Sequence, residues 1–279
     1  MRDSYDPRFF AKIAAIEQKH FWFRARARVI RCIASQVVRP LQPGYRFVEV
    51  GCGTGMVLRE LVQLCKDGHV SGIDLFPEAV AFAAKTASCP VMIGDVETPM
   101  DFGEADVVGT FDVLEHLSDD CKVLKGLSRM LKPGGKLIVT VPAHMSLWSY
   151  FDVASRHCRR YTATHLQEVL QQSGFEVEYM TEFMMGLFPL LWFLRRLHGR
   201  TVENDHESAV AKADQELTVV PIINEFIKLI LSWETLAIRR RWRLPVGTSL
   251  LAVSRKRQLG ATESDFALAY RTNTISEAI

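Results

Sequence analysis

The chain of 279 residues has no apolar run of roughly 18–20 residues, so no bilayer-spanning helix is expected. Its opening residues, Met1-Arg-Asp-Ser-Tyr-Asp-Pro7, lack the apolar core of a secretory signal. The six cysteines (32, 52, 65, 89, 121 and 158) are dispersed and form no Cys-x-x-Cys pair. That excludes a secreted disulfide framework and favours a reducing, cytoplasmic compartment. There is no excess of either charge: 34 basic residues face 32 acidic ones, a net +2. A nucleic-acid partner is therefore not expected. Basic residues gather only locally, at Arg24/Arg26/Arg28, Arg156/Arg159/Arg160 and Arg239–Arg241, where a solvated face and an anion contact are both open readings. Internal repeats and low-complexity tracts are absent.

What is present starts at Arg46-Phe-Val-Glu-Val-Gly-Cys-Gly-Thr-Gly55. A short β-branched run predicts a buried parallel strand. Gly51, Gly53 and Gly55 then let the backbone turn tightly and approach a ligand, and Met56–Leu64 follows with helical periodicity. No lysine follows, so this is not the phosphate loop of nucleotide hydrolases. The even glycine spacing is not the dinucleotide fingerprint either. Glu49 at the strand end would repel a phosphate and attract a cation.

Residues 48–55, Val-Glu-Val-Gly-Cys-Gly-Thr-Gly, closely resemble the first motif of class I S-adenosylmethionine-dependent methyltransferases. That cofactor carries a sulfonium and an ammonium and no phosphate. The same residues also suit a plain strand–helix turn.

Strands are predicted at about 45–50, 69–75, 91–95, 105–112 and 135–141, with helices at 56–65, 77–87 and 117–131 between them. This alternation builds a doubly wound α/β sheet, mostly parallel. A helix over 162–173 and strands at 175–180 and 248–254 follow. By the resemblance the sheet has seven strands with an antiparallel edge strand. Three regions result: an N-terminal helical cap (1–40), a methyltransferase domain (41–257) with a helical insertion at about 184–247, and a poorly ordered tail (258–279). The resemblance implies that the N-terminal helices lie over the cofactor.

Asp74 ends the second strand about twenty residues beyond the glycine turn, where a ribose-binding carboxylate is expected; helix capping at Pro77 is its alternative. By resemblance, Asp95 and Val96 in Ile93-Gly-Asp-Val96 contact adenine. Cys52 and Leu75 join the cofactor site on the same grounds, as do Phe111 and Asp112 in Thr110-Phe-Asp-Val-Leu-Glu-His-Leu117. That stretch resembles the Asp-x-x-Glu-His of small-molecule methyltransferases, including quinone-pathway O-methyltransferases. His116 suits a general base, its ordinary pKa being near neutrality, or a structural role bonded to backbone. Glu115 and His116 raise a metal site, but no further ligand stands at convincing spacing, so none is expected.

Lys132-Pro-Gly-Gly135 matches the family's turn into the fifth strand. Residues 143–161 follow it, and with His20-Phe-Trp-Phe23 they resemble a bacterial subfamily linked with glycan and natural-product pathways. His157-Cys-Arg-Arg-Tyr161 carries the His-x-Arg-Arg-Tyr pattern. His144 and His157 are further base candidates. Trp22, Trp148, Arg159, Arg160 and Tyr161 are assigned to substrate, or else pin the loop through ion pairs such as one with Asp152.

Two apolar segments mark the insertion. One is Met184–Leu194 with Arg195 and Arg196; the other is a helical stripe of Ile222, Ile223, Phe226, Ile227, Ile230, Trp233 and Ala237. They read as a lid, a homodimer face or a peripheral membrane contact. The resulting expectation is methyl transfer from S-adenosylmethionine to a small molecule, first to oxygen because histidines crowd the site. C- or N-methylation, a lipid-linked acceptor and a non-catalytic binding module are the alternatives.

Overall fold

The computed structural model describes residues 5–98, 103–197, 209–210 and 231–257. Two helices come first, α1 (Arg8–Ile16) and α2 (Phe21–Val38). There follow β1 (Arg46–Val50), α3 (Met56–Leu64), β2 (His69–Asp74), α4 (Pro77–Ala87), β3 (Val91–Ile93) and β4 (Ala105–Phe111). The second half holds α5 (Asp120–Met130), β5 (Leu131–Pro142), α6 (Tyr150–Ala154), α7 (Ala163–Gln172) and β6 (Phe175–Phe183). It ends with α8 (Phe188–Leu197), α9 (231–239) and β7 (Ser249–Lys256). The predicted tail at 258–279 lies outside the described residues, as do 198–208 and 211–230 of the insertion.

The sheet runs β3-β2-β1-β4-β5-β7-β6. The first five strands are parallel, and β7 pairs antiparallel with both β5 and β6. β1 pairs with β2 on one side and β4 on the other, so successive crossovers leave β1 in opposite directions. The carboxyl ends of these strands therefore border an open crevice, the usual ligand position in such sheets.

The pleat distributes the core. Phe47, Val107 and Ile138 face Ile30 and Ile33 of α2 and Leu58 and Leu61 of α3. Their neighbours Val48, Val108 and Val139 face Leu124 and Leu127 of α5 and Leu166 and Leu170 of α7. The same period of two puts Glu49 on the α2 side.

Local chemistry sets the helix starts. His20 caps α2 by accepting from the Trp22 N–H, Asp119 caps α5 and Thr162 caps α7. Pro77 takes the first position of α4. Lys132-Pro-Gly-Gly135, expected as a turn before the strand, lies within β5. A register shift between Ala105 and Val107 accommodates it. Asp106 holds the irregularity, accepting from Lys132 Nζ at 2.8 Å and from the Arg46 N–H at 2.8 Å.

In the insertion, α9 is fastened by Glu234, whose carboxylate accepts from the Met185 and Gly186 N–H groups. The expected apolar stripe begins among residues outside the described set. Within α9, Leu231 and Ile238 are buried while Trp233 stands 69% exposed, so Trp233 belongs to the outer face and not to the packed one.

Candidate active site

The glycine turn after β1 is closed by the Gly51 and Cys52 N–H groups, both donating to the Ile73 carbonyl. All three glycines have positive φ. A Cβ on Gly51 would come within 2.3 Å of Val113, and one on Gly55 within 2.7 Å of the Ala83 backbone. Those two glycines serve packing. A Cβ on Gly53 would meet nothing within 4 Å, and Gly53 lines a cavity of about 540 Å³ at the crevice.

Asp74 joins this turn to the end of β2. Its Oδ2 accepts from the Gly53 N–H at 2.8 Å and its Oδ1 from the Phe76 N–H at 3.0 Å. Burial raises its pKa despite these bonds. Glu49 is wholly buried, and its Oε2 has no hydrogen-bond partner. Burial pushes its carboxyl well above the ordinary range; Arg26 opposes the shift and Asp74 adds to it.

The N-terminal helices roof the cavity. Tyr5, Phe9 and Phe10 line it, with Phe10 packed on Phe76 at 5.6 Å between ring centroids. Thr54 Oγ1 donates to Glu17 Oε2. Arg26 Nε lies 2.5 Å from Asp112 Oδ2, and Asp112 Oδ1 accepts from Thr140 Oγ1 at 3.0 Å.

A short 3-10 turn (Leu114–His116) also borders the cavity with Glu115 and His116, the His116 ring 5.5 Å from that of Tyr5. His157 arrives from the loop after α6, its ring 4.7 Å from that of His116. Its Nδ1 lies 2.9 Å from Asp152 Oδ1 and its Nε2 4.0 Å from Glu115 Oε1. Asp152 is fully buried and also receives Arg160 Nε at 2.7 Å and Nη2 at 3.0 Å. Burial would raise its pKa, but His157 and Arg160 outweigh that and lower it to about 2. Glu115 is raised well above the carboxylate range by burial and the neighbouring Asp112.

Of the expected cofactor residues, Glu49, Gly51, Cys52, Gly53, Asp74, Leu75, Val96, Phe111 and Asp112 line the cavity. Asp95 does not: its Oδ1 turns back to accept from the Glu97 N–H, while Gly94 and Val96 supply the wall. Gly55 sits behind, against Ala83. His116, His157, Trp22 and Arg160 also line the cavity. His144, Trp148, Arg159 and Tyr161 do not. His144 Nε2 is 2.7 Å from Glu182 Oε2. Arg159 Nη1 and the buried Tyr161 hydroxyl both donate to Asp120 Oδ2. The His-x-Arg-Arg-Tyr segment is thus mainly a device that pins its own loop through Asp152 and Asp120.

Arg26, Glu17 and Thr54 also line the cavity, where no residue pattern predicted them. Arg26 follows Trp22 by four on α2, and both line the cavity; that spacing was the available signal. Among Arg24, Arg26 and Arg28 it is the one that does so.

Residues 18–179 match a family model described as a methyltransferase domain. The chain belongs to the class I S-adenosylmethionine-dependent methyltransferases. A probable S-adenosylmethionine-dependent methyltransferase of Mycolicibacterium smegmatis is 29% identical over 211 residues, 74% of this chain and 79% of that protein. A ubiquinone biosynthesis O-methyltransferase of Xanthomonas oryzae is 32% identical over 104 residues, 35% of this chain and 43% of that one. Among solved structures, the chain bound to the Haloferax volcanii Trm112 methyltransferase activator superposes with a TM-score of 0.56. It is 18% identical, with 90% of this methyltransferase and 97% of that chain covered. The cyclase SpnF superposes at 0.51 with 19% identity, over 81% of this chain and 80% of its own, a likeness of fold alone.

The cavity's chemistry suits the cofactor. Glu49 offers a buried acceptor to a cationic ligand, Asp74 a carboxylate at the end of β2, and Gly53 an open backbone approach. S-Adenosylmethionine supplies a methyl group already activated on a sulfonium, so the protein's task is chiefly positioning.

Proposed function

We propose that this methyltransferase acts on a hydroxyl oxygen of a small, largely apolar molecule. In this reading Asp74 accepts from the ribose hydroxyls, Glu49 faces the ammonium and Val96 borders the adenine. The acceptor sits between Trp22 on α2 and the Glu115–His116–His157 wall. The observation that carries oxygen as the acceptor is the Asp152–His157 pair, with Nδ1 and Oδ1 2.9 Å apart. An Nδ1–H donated to Asp152 leaves the Nε2 lone pair available to take a hydroxyl proton. This reading gives His144 no part as the base, since it lies outside the cavity with Nε2 2.7 Å from Glu182 Oε2. The O-methyltransferase named among the relatives agrees with this choice.

The test offers methyl-labelled S-adenosylmethionine with matched phenol, amine and enolisable carbon acceptors bearing one apolar tail. Label should appear on the hydroxyl compounds. Transfer to the amine or carbon series alone overturns the reading.

A specific observation favours an amphiphilic acceptor at a membrane surface. Leu190 on α8 lines the cavity and is also 54% exposed, beside outward-facing Trp192 and Phe193. The arginines Arg239, Arg240 and Arg241 at the end of α9 are exposed. Aromatics in the headgroup layer and arginines on anionic lipid follow from that arrangement. Among the described residues no helix is long and apolar enough to cross a membrane. Sedimentation with anionic vesicles should carry the protein down at low salt; equal recovery with neutral vesicles sinks this reading.

A further inference from the structure

We propose that Glu115, His116 and His157 form a divalent-cation site on the acceptor side of the cavity. The inference rests on reading that side as the acceptor's place.

Each of the three residues offers one donor atom, and these atoms all lie within 4.8 Å of one another. Four features set them apart from a chance cluster. Glu115 is wholly buried, yet neither carboxylate oxygen has a hydrogen-bond partner. Leaving such a group alone in a protein interior is costly, and a bound cation is one of the few partners that removes the cost. His157 has its far nitrogen on a carboxylate, Asp152, at 2.9 Å. This is the outer bond that fixes tautomer and orientation in metal-ligating histidines, and it leaves Nε2 directed toward Glu115. Asp152 is itself held by Arg160 through two contacts and by the Ser149 N–H, so the imidazole is rigidly mounted. Finally, all three residues border the cavity, which leaves an open coordination position toward an acceptor oxygen.

Two histidines and one carboxylate with an open position are the donor set of catalytic zinc centres and of iron(II) facial triads. Tetrahedral zinc with bonds of about 2.0–2.1 Å places its donors roughly 3.4 Å apart. Donors as far apart as 4.8 Å must therefore close by up to about 1.4 Å on binding. The sequence conceals the third ligand because His157 stands 41 positions beyond His116 and reaches it from another loop. A cation and a proton compete for the same Nε2, so the metal-loaded and metal-free forms differ in how they handle an acceptor hydroxyl.

The experiment titrates the chelator-stripped full-length protein with cobalt(II), followed by visible d–d absorption, in the presence of S-adenosylhomocysteine. One equivalent should bind with a tetrahedral or five-coordinate spectrum, and zinc should displace it. Glu115→Gln and His157→Ala should abolish the signal, Asp152→Asn should weaken it about 10- to 100-fold, and His144→Ala should leave it intact. Calorimetric binding of S-adenosylhomocysteine to each variant verifies folding. Cobalt uptake by the parent no greater than by His157→Ala overturns the proposal. If hydroxyl acceptors are still methylated in that case, the site is wrong and the O-methylation reading stands. If cobalt binds but only amines are methylated, the reverse holds.

Discussion

Arg26 and Asp112 join the N-terminal helices to the carboxyl end of β4, with Nε and Oδ2 2.5 Å apart and both side chains mostly buried. Asp112 has a positive φ of 55°, a conformation that a non-glycine residue adopts at a cost. The ion pair and the Thr140 hydroxyl hold it there. Replacing Arg26 with Met should loosen the roof over the cavity and destabilise the fold by about 1.5–3 kcal/mol. Thermal unfolding and S-adenosylhomocysteine calorimetry should both register the loss. An unchanged melting temperature with unchanged affinity would remove Arg26 from the site.

Asp74→Ala should weaken S-adenosylhomocysteine binding at least about tenfold, since it removes a charged acceptor and frees the Gly53 and Phe76 N–H groups. Calorimetry measures this directly. Equal affinity in parent and variant would contradict the ribose assignment.

The glycines should separate by kind. Gly51→Ala and Gly55→Ala place a Cβ into Val113 and into the Ala83 backbone, so they should fail mainly in stability. Gly53→Ala meets open space and costs the left-handed strain of about 1–2 kcal/mol. It should stay folded and lose cofactor affinity. Chemical denaturation beside calorimetry distinguishes the two patterns.

His157→Ala should lower kcat at saturating acceptor with little change in cofactor affinity, whereas His144→Ala should leave kcat near the parent value. A His144→Ala variant that lost turnover while His157→Ala kept it would reverse the assignment.

The buried acids give opposite pH signatures. Glu115 is raised in the folded state by burial, so the native protein holds its proton longer than the unfolded chain. Stability from this group falls as pH rises above the ordinary glutamate value. Glu115→Gln should therefore be matched in melting temperature to the parent near pH 4 and more stable at pH 8, in chelator-stripped protein. Asp152 is lowered to about 2, so its contribution is full above the ordinary aspartate value and is lost as pH falls toward 2. Asp152→Asn should be less stable at neutrality, with the deficit shrinking below about pH 4. Parallel curves for either pair would refute the corresponding sign.

The parts of the site that follow directly from β1 and β2 were legible in the sequence, because a strand, a glycine turn and an acid at a strand end are each coded within a few residues. So was the order of strands and helices up to Gly174, apart from the short α6, for which no helix was expected. Partnerships across the fold were not. Arg26 reads as one of three arginines on an amphipathic helix until Asp112 is brought opposite it. Arg159 and Tyr161 carry substrate-binding chemistry by type, yet Asp120, some 40 positions earlier, takes both. Lys132-Pro-Gly-Gly135 reads as a turn, and Asp106 across the sheet draws it into β5. Asp95 follows a strand as an adenine contact should, but its own N-terminal turn bond to Glu97 claims the carboxylate. In the first three cases a long-range charge or hydrogen bond overrode a plausible local reading; for Asp95 the bond is local, two residues away.

The placing of β7 between β5 and β6 has a consequence for synthesis. β6 has β7 as its only strand neighbour among the described residues, and residues 184–248 intervene before β7 begins. While the ribosome is still making that stretch, β5 presents a free edge and β6 has nothing to pair with. Unpaired strands of this kind recruit other chains. The nascent protein must therefore carry an incomplete sheet until its final strand emerges, and a chain truncated before Ser249 should aggregate even though every residue of the cofactor loop has already been made.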